Sequence, residues 1–227
     1  MLGESRIALR YAGPFGWQPN NSTRQFEYPW AFDQISRLGS GLAITELGGG
    51  VSGLQYVLAR EGHRVVNVDP GQGAGWSLDS SLHRRLGKAL GAQVALIPST
   101  LSQAELPAAS QDVVVSVSAL EHFSDEAIAE LCREVPRVLK PGGALVLTVD
   151  LFPDLHPFTS VPAHETGRNI DLRKLIDDCG LTLTTGTTAE LYGFPDFDPQ
   201  AVQSRLGDLL IGAYYPTLTQ ALVARLG

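Results

Sequence analysis

Cysteine is nearly absent: Cys132 and Cys179 are the only two in 227 residues, and they form no C-x-x-C pair. This argues against a disulfide framework or a cysteine-built zinc centre and leaves two small apolar side chains for a core. Long apolar runs are missing too. No stretch approaches the roughly 18 residues that span a bilayer, and the first ten residues, MLGESRIALR, hold no apolar signal core. Positive charge is scarce: 17 Lys and Arg face 24 Asp and Glu, for a net charge of −7. No general attraction to nucleic acid phosphates or an anionic membrane is expected from that balance. A cytoplasmic protein with a small-molecule partner fits these absences, without nucleic acid or membrane. His122, Asp150, Asp154, His156 and His164 fall near strand ends or in loops, but no H-E-x-x-H or comparably close spacing joins them, so no metal is expected. His63 and His83 lie near helix boundaries and read as solvated or capping residues. Internal repeats and long low-complexity tracts are also lacking.

What is present is alternation. Residues 1–22 carry Gly13, Pro14, Gly16, Pro19 and an Asn-Asn pair, the composition of an irregular segment. Ser22 or Thr23 can cap a helix to about Leu38, although Pro29 sits inside it. Apolar runs then follow at 42–45, 65–68, 94–97, 113–117 and 144–149, separated by helical periods. Leu54, Val57 and Leu58 make one helix face, and Ile128, Leu131, Val135, Val138 and Leu139 another, with Pro136 inside it. Near-continuous apolar strands between helices imply a parallel sheet covered on both faces. A helix over 171–179, a strand over 181–185 and a last apolar stretch over 218–224 follow. Pairing of the last two strands as an antiparallel hairpin gives one α/β domain: Rossmann-like, doubly wound, with a mostly parallel seven-stranded sheet and an antiparallel C-terminal strand.

The stretch ITELGGGVSGL, residues 44–54, puts four glycines within six positions between a strand and a helix. Such a cluster marks a tight turn against which a ligand lies. Gly48, Gly50 and Gly53 fit the G-x-G-x-x-G spacing of a dinucleotide site. Glu46 fits another pattern, in which an acid ends the strand two positions before the first glycine and the ligand is S-adenosylmethionine (SAM). Asp69 ends the next strand, where a carboxylate can accept both ribose hydroxyl hydrogens, and it serves either ligand. In open α/β sheets ligands gather at the carboxyl ends of the strands, which here also places Ser99 to Leu101, Ser118 to His122 and Asp150 to His156 at the site.

These residues, with QDVVVSVSALEHF over 111–123 and RVLKPGGALVLTV over 137–149, resemble the class I SAM-dependent methyltransferases, and more narrowly the bacterial type 11 small-molecule group. The likeness covers about residues 40–190. It implies that Glu46, Gly48, Gly49 and Gly50 hold the methionyl end of SAM, Asp69 the ribose, and the loop containing Thr100 and Leu101 the adenine, with Ser118 beside them. Residues 41–227 would form the SAM-binding domain, and residues 1–40 would cover the substrate side. The family's third motif glycine falls on Ser52, and Ser99-Thr100 stands where an acid is frequent. A base is needed only for a protonated nucleophile. His122 and His156 are the candidates, because an imidazole titrates near neutral pH and both follow strand ends. Trp17, Tyr28, Trp30 and the segment Tyr192 to Asp198 could line an acceptor pocket or anchor the extra helix. Two other readings stay open: an NAD(P)-dependent oxidoreductase, against which stands the lack of any Tyr-x-x-x-Lys pair, and a non-catalytic SAM-binding subunit.

Overall fold

The structure is a computed structural model that describes residues 23–71, 80–206 and 217–227. The expected irregular segment and Trp17 lie outside the described residues. Strands β1 (Ala43–Leu47), β2 (Arg64–Val68), β3 (Val94–Ile97), β4 (Gln111–Val117), β5 (Leu139–Leu151), β6 (Leu181–Thr185) and β7 (Leu218–Leu226) form one seven-stranded sheet in the order β3-β2-β1-β4-β5-β7-β6. The first five are parallel, whereas β7 runs antiparallel to both β5 and β6. The order reverses between β1 and β4, which sets the crevice for a ligand at the carboxyl ends of these strands.

Alternation along the central strands distributes side chains to two cores. Val113, Val115, Ala144 and Val146 face one layer, where Tyr28, Ala31 and Ile35 of α1 (Arg24–Ser36) and Leu54 and Leu58 of α2 (Gly53–Arg60) cover them. Val114, Leu145 and Leu147 face the other, under Leu131, Val135 and Val138 of α4 (Asp125–Val138) and Leu172 and Ile176 of α5 (Leu172–Asp178). Each buried Val, Leu or Ile among them contributes about 1.5–3 kcal/mol by leaving water. Cys132 and Cys179 are buried in this second core. Tyr28 is therefore a core anchor of α1. The helix runs through Pro29, five residues past its first residue, because its apolar face against the sheet outweighs one lost backbone bond.

Between β2 and β3 lies α3 (Ser80–Leu90), whose Leu86 packs on Tyr56 and Ala92. Caps fix the later helices: Ser124 Oγ accepts from the Ala127 amide at 3.2 Å, and Asp171 Oδ1 from the Lys174 amide at 2.8 Å. A short helix α6 (Pro199–Ser204) precedes β7.

The two histidines read as solvated or capping residues are buried. His63 Nδ1 accepts the Leu42 amide at 3.2 Å, and His83 Nε2 donates to Gln55 Oε1 at 2.8 Å. Each offers one ring nitrogen to a specific partner, and burial holds both imidazoles below their ordinary range. No helix among the described residues is long and apolar enough to cross a membrane.

Candidate active site

The glycine loop leaves β1 and enters α2. Gly48 and Gly50 have φ of 65° and 52°, a region that side chains with a Cβ rarely adopt. Gly48 also packs on Ala119, since a Cβ there would lie 2.8 Å from the Ala119 Cβ. At Gly49 the constraint is different: Glu46 folds beneath the loop and occupies the space a Cβ would need.

A buried polar network holds this loop. Ser52 Oγ donates to Glu46 Oε1 at 2.7 Å. The serine in the family's third-glycine position thus grips the strand-ending acid. Asn67 Nδ2 donates to the Gly50 carbonyl at 2.7 Å, and Gln55 Nε2 reaches the same oxygen at 3.3 Å. That orientation turns Gln55 Oε1 toward His83, linking α3 to the loop. Asp69 Oδ2 accepts the Gly50 amide and its Oδ1 the Gly71 amide, both at 2.7 Å. Two of the four acceptor positions of the carboxylate are thereby filled, and two stay available for a diol. Gln55, Asn67 and His83 were not singled out as site residues from sequence; polar side chains within apolar runs are the signal that points to them.

Glu46 is buried, and its Oε2 has no hydrogen-bond partner among the described residues. Desolvation, reinforced by the charge of Asp69 and opposed by the Ser52 bond, pushes its carboxyl up to about 7. A donor or cation reaching Oε2 would relieve this state. The loop after β3 presents Thr100 at the surface, with Oγ1 3.1 Å from Ser102 Oγ, whereas Leu101 is buried in the core beside Leu106.

A second cluster lies across the tips of β4 and β5. Ser118 has φ of 40°, a strained conformation for a residue with a Cβ. Its carbonyl accepts Arg24 Nη2 at 3.2 Å, and its hydroxyl meets both the Glu27 carboxylate and, at 3.1 Å, Asp150 Oδ1. Arg24 also pairs with Glu27 at 2.5 Å. Glu121, in the short 3₁₀ turn Leu120–His122, is 1% exposed, and among the described residues none donates a hydrogen bond to either of its oxygens. Burial and the Asp150 charge push its carboxyl well up, and burial with the Glu27 charge raises Asp150 to about 6. Arg24 and Glu27 escape sequence analysis because an i, i+3 ion pair at a helix start reads as a solvated face.

His122 is exposed at the end of that turn, its imidazole held below the ordinary range by desolvation and then by Arg24. His156 is exposed in the loop after β5, edge-on to Tyr192 at 6.1 Å between ring centroids. Tyr192 in turn packs on Phe197. The structure thus unites Glu46 with Gly49 and Ser52, Asp69 with Gly50, and Ser118 with Asp150, while His156 belongs to the Tyr192 segment.

The family model for the methyltransferase domain matches residues 45–147. Over these residues, a little under half of the chain, the sequence is similar to the methyltransferases. An uncharacterized methyltransferase of Geobacillus sp. is 26% identical over 141 residues, covering 62% of this chain and 62% of its own length. The dimethylglycine N-methyltransferase of Parasynechococcus marenigrum is 31% identical over 121 residues, 51% of this chain and 40% of that protein. The chain spans less than two thirds of the length of these curated relatives. Among solved structures, the 1,6-didemethyltoxoflavin-N1-methyltransferase of Burkholderia thailandensis, with S-adenosylhomocysteine bound, superposes with a TM-score of 0.59 at 17% identity, over 99% of this chain and 87% of that one. This last likeness is one of fold.

Proposed function

We propose that the chain transfers a methyl group from SAM to a small-molecule acceptor. The unpartnered Oε2 of Glu46 beneath the glycine loop supports this most directly, because the methionyl end of SAM carries an ammonium that would satisfy it. In this reading Gly48, Gly49 and Gly50 let the methionyl portion approach the backbone, and Asp69 accepts from the ribose hydroxyls with its two remaining lone pairs. Thr100 and the backbone of Leu101 border the adenine, and Ser118 lines the methionyl side. SAM supplies, when bound, a methyl group already activated on a sulfonium. The work left to the chain is to hold the acceptor in line, and positioning alone provides effective molarities of about 10⁵ M or more. Residues 23–40 border the acceptor side, and His122 or His156 takes a proton where the acceptor has one to lose. Relatives acting on dimethylglycine and on 1,6-didemethyltoxoflavin favour a small-molecule acceptor.

Calorimetric titration with S-adenosylhomocysteine, and separately with NADH and NADPH, tests the cofactor. Binding of S-adenosylhomocysteine alone is expected, and binding of a nicotinamide nucleotide alone would overturn the proposal.

A further inference from the structure

Three carboxyl groups converge where β4 and β5 end, next to the glycine loop, which touches their cluster through the Gly48 contact with Ala119. Glu27 and Glu121 are 0% and 1% exposed, and Asp150 is half-buried beside them. Glu27 is matched by Arg24. The Ser118 hydroxyl has a single proton for two carboxyls, so it satisfies either Glu27 or Asp150. Among the described residues no side chain donates to either oxygen of Glu121, and its carboxyl meets that of Asp150, with which it can only share a proton. The cluster therefore holds more acceptor capacity than the described residues satisfy, and its carboxyls ionise together only at a cost that a bound cation would remove, in a place where ligands of this fold gather.

We propose that Glu121 and Asp150, backed by Glu27, form the subsite for a protonated nitrogen of the methyl acceptor, so that the acceptor is a cationic amine; this rests on the methyltransferase reading above. A neutral hydroxyl would supply one donor and no charge. An ammonium supplies both, compensating Glu121 and leaving the Ser118 proton to Glu27. Arg24 sets the limit of the subsite, since it neutralises one carboxyl of the three and repels a second cation.

The full chain saturated with S-adenosylhomocysteine is titrated with trimethylammonium chloride and with tert-butanol, a neutral molecule of similar shape, with potassium chloride as the salt control; binding is read by saturation-transfer NMR. Trimethylammonium is expected to saturate below about 50 mM while tert-butanol does not. Glu121→Gln and Asp150→Asn should each weaken the cation about fivefold or more, with S-adenosylhomocysteine affinity changed by less than about twofold. Equal binding of the two probes, or none, overturns the subsite. So does a loss of S-adenosylhomocysteine affinity in the variants with cation binding intact, which would assign these carboxyls to the cofactor's own ammonium. The comparison of probes on the unmodified chain needs no variant to fold. Failure of that chain to bind S-adenosylhomocysteine defeats the methyltransferase reading instead, and the cation titration of the unliganded chain then decides the subsite separately.

Discussion

Gly49 sits so close over Glu46 that a Cβ built on it would lie 2.6 Å from the Glu46 Cδ and 2.9 Å from its Oε1. The glycine is required by this contact, whereas at Gly48 and Gly50 the positive φ also requires it. Gly49→Ala thus has a specific consequence: the Glu46 carboxyl must move off Ser52. S-Adenosylhomocysteine affinity should fall about tenfold or more, near 1.4 kcal/mol, with thermal unfolding still cooperative. Calorimetry checks it, and unchanged affinity would mean that Glu46 plays no part in the site.

Glu46 also predicts a pH dependence. Its carboxyl titrates near 7 in the folded chain against an ordinary 4.5, chiefly because it is desolvated. Between those values the folded state holds a proton that the unfolded state has lost, so this residue's contribution to stability falls as pH rises, by about 3 kcal/mol in all. A ligand whose ammonium meets the carboxylate prefers the ionised form. S-Adenosylhomocysteine affinity should therefore rise from pH 6 to pH 8. In Glu46→Gln this rise should vanish, and a rise that persists in the variant would place the titrating group elsewhere.

Much of this architecture is legible in the sequence, and particular residues show why. VALI at 94–97 is the whole of β3, and the last two strands pair antiparallel as supposed. Apolar runs between helices have few alternatives once both faces of a sheet need covering. The glycine loop is legible for a similar reason, since its conformation excludes nearly every other residue. The network beneath it is not: Gln55 and His83 meet at 2.8 Å from positions 28 residues apart, and no local pattern announces that. Glu27 is hidden more deeply. Between Phe26 and Tyr28 it resembles any helix-surface acid, and only the docking of α1 on the strand tips buries it against Ser118.

Asp69 secures the loop as well as offering itself to a ribose. It accepts amides from both Gly50 and Gly71, one on each oxygen. Asp69→Asn has a single carbonyl oxygen and must release one amide, so the loop loses an anchor worth about 1 kcal/mol along with the charge. A loss of about tenfold in S-adenosylhomocysteine affinity is expected, with a melting temperature lowered by a few degrees. An affinity matching the parent chain would exclude Asp69 from the ligand site.

His83 gives a stability test that leaves the ligand aside. Its Nε2 proton is the partner of buried Gln55 Oε1, and Tyr56 donates its hydroxyl to the His83 carbonyl at 3.3 Å. Burial lowers its pKa, so the folded state keeps the imidazole neutral where the unfolded state takes up a proton. That contribution is complete above the ordinary histidine value of about 6.5 and is lost as pH falls through the lower folded value. His83→Leu strands Gln55 Oε1 and should cost about 1–3 kcal/mol at pH 8. Acidification removes the advantage of the parent chain but not of the variant, so the gap between them should narrow toward pH 5. Urea unfolding of both chains at the two pH values measures it, and the difference cancels the opposite trend that Glu46 imposes on both. A gap that stays constant would mean that the folded chain accommodates a charged imidazole at position 83.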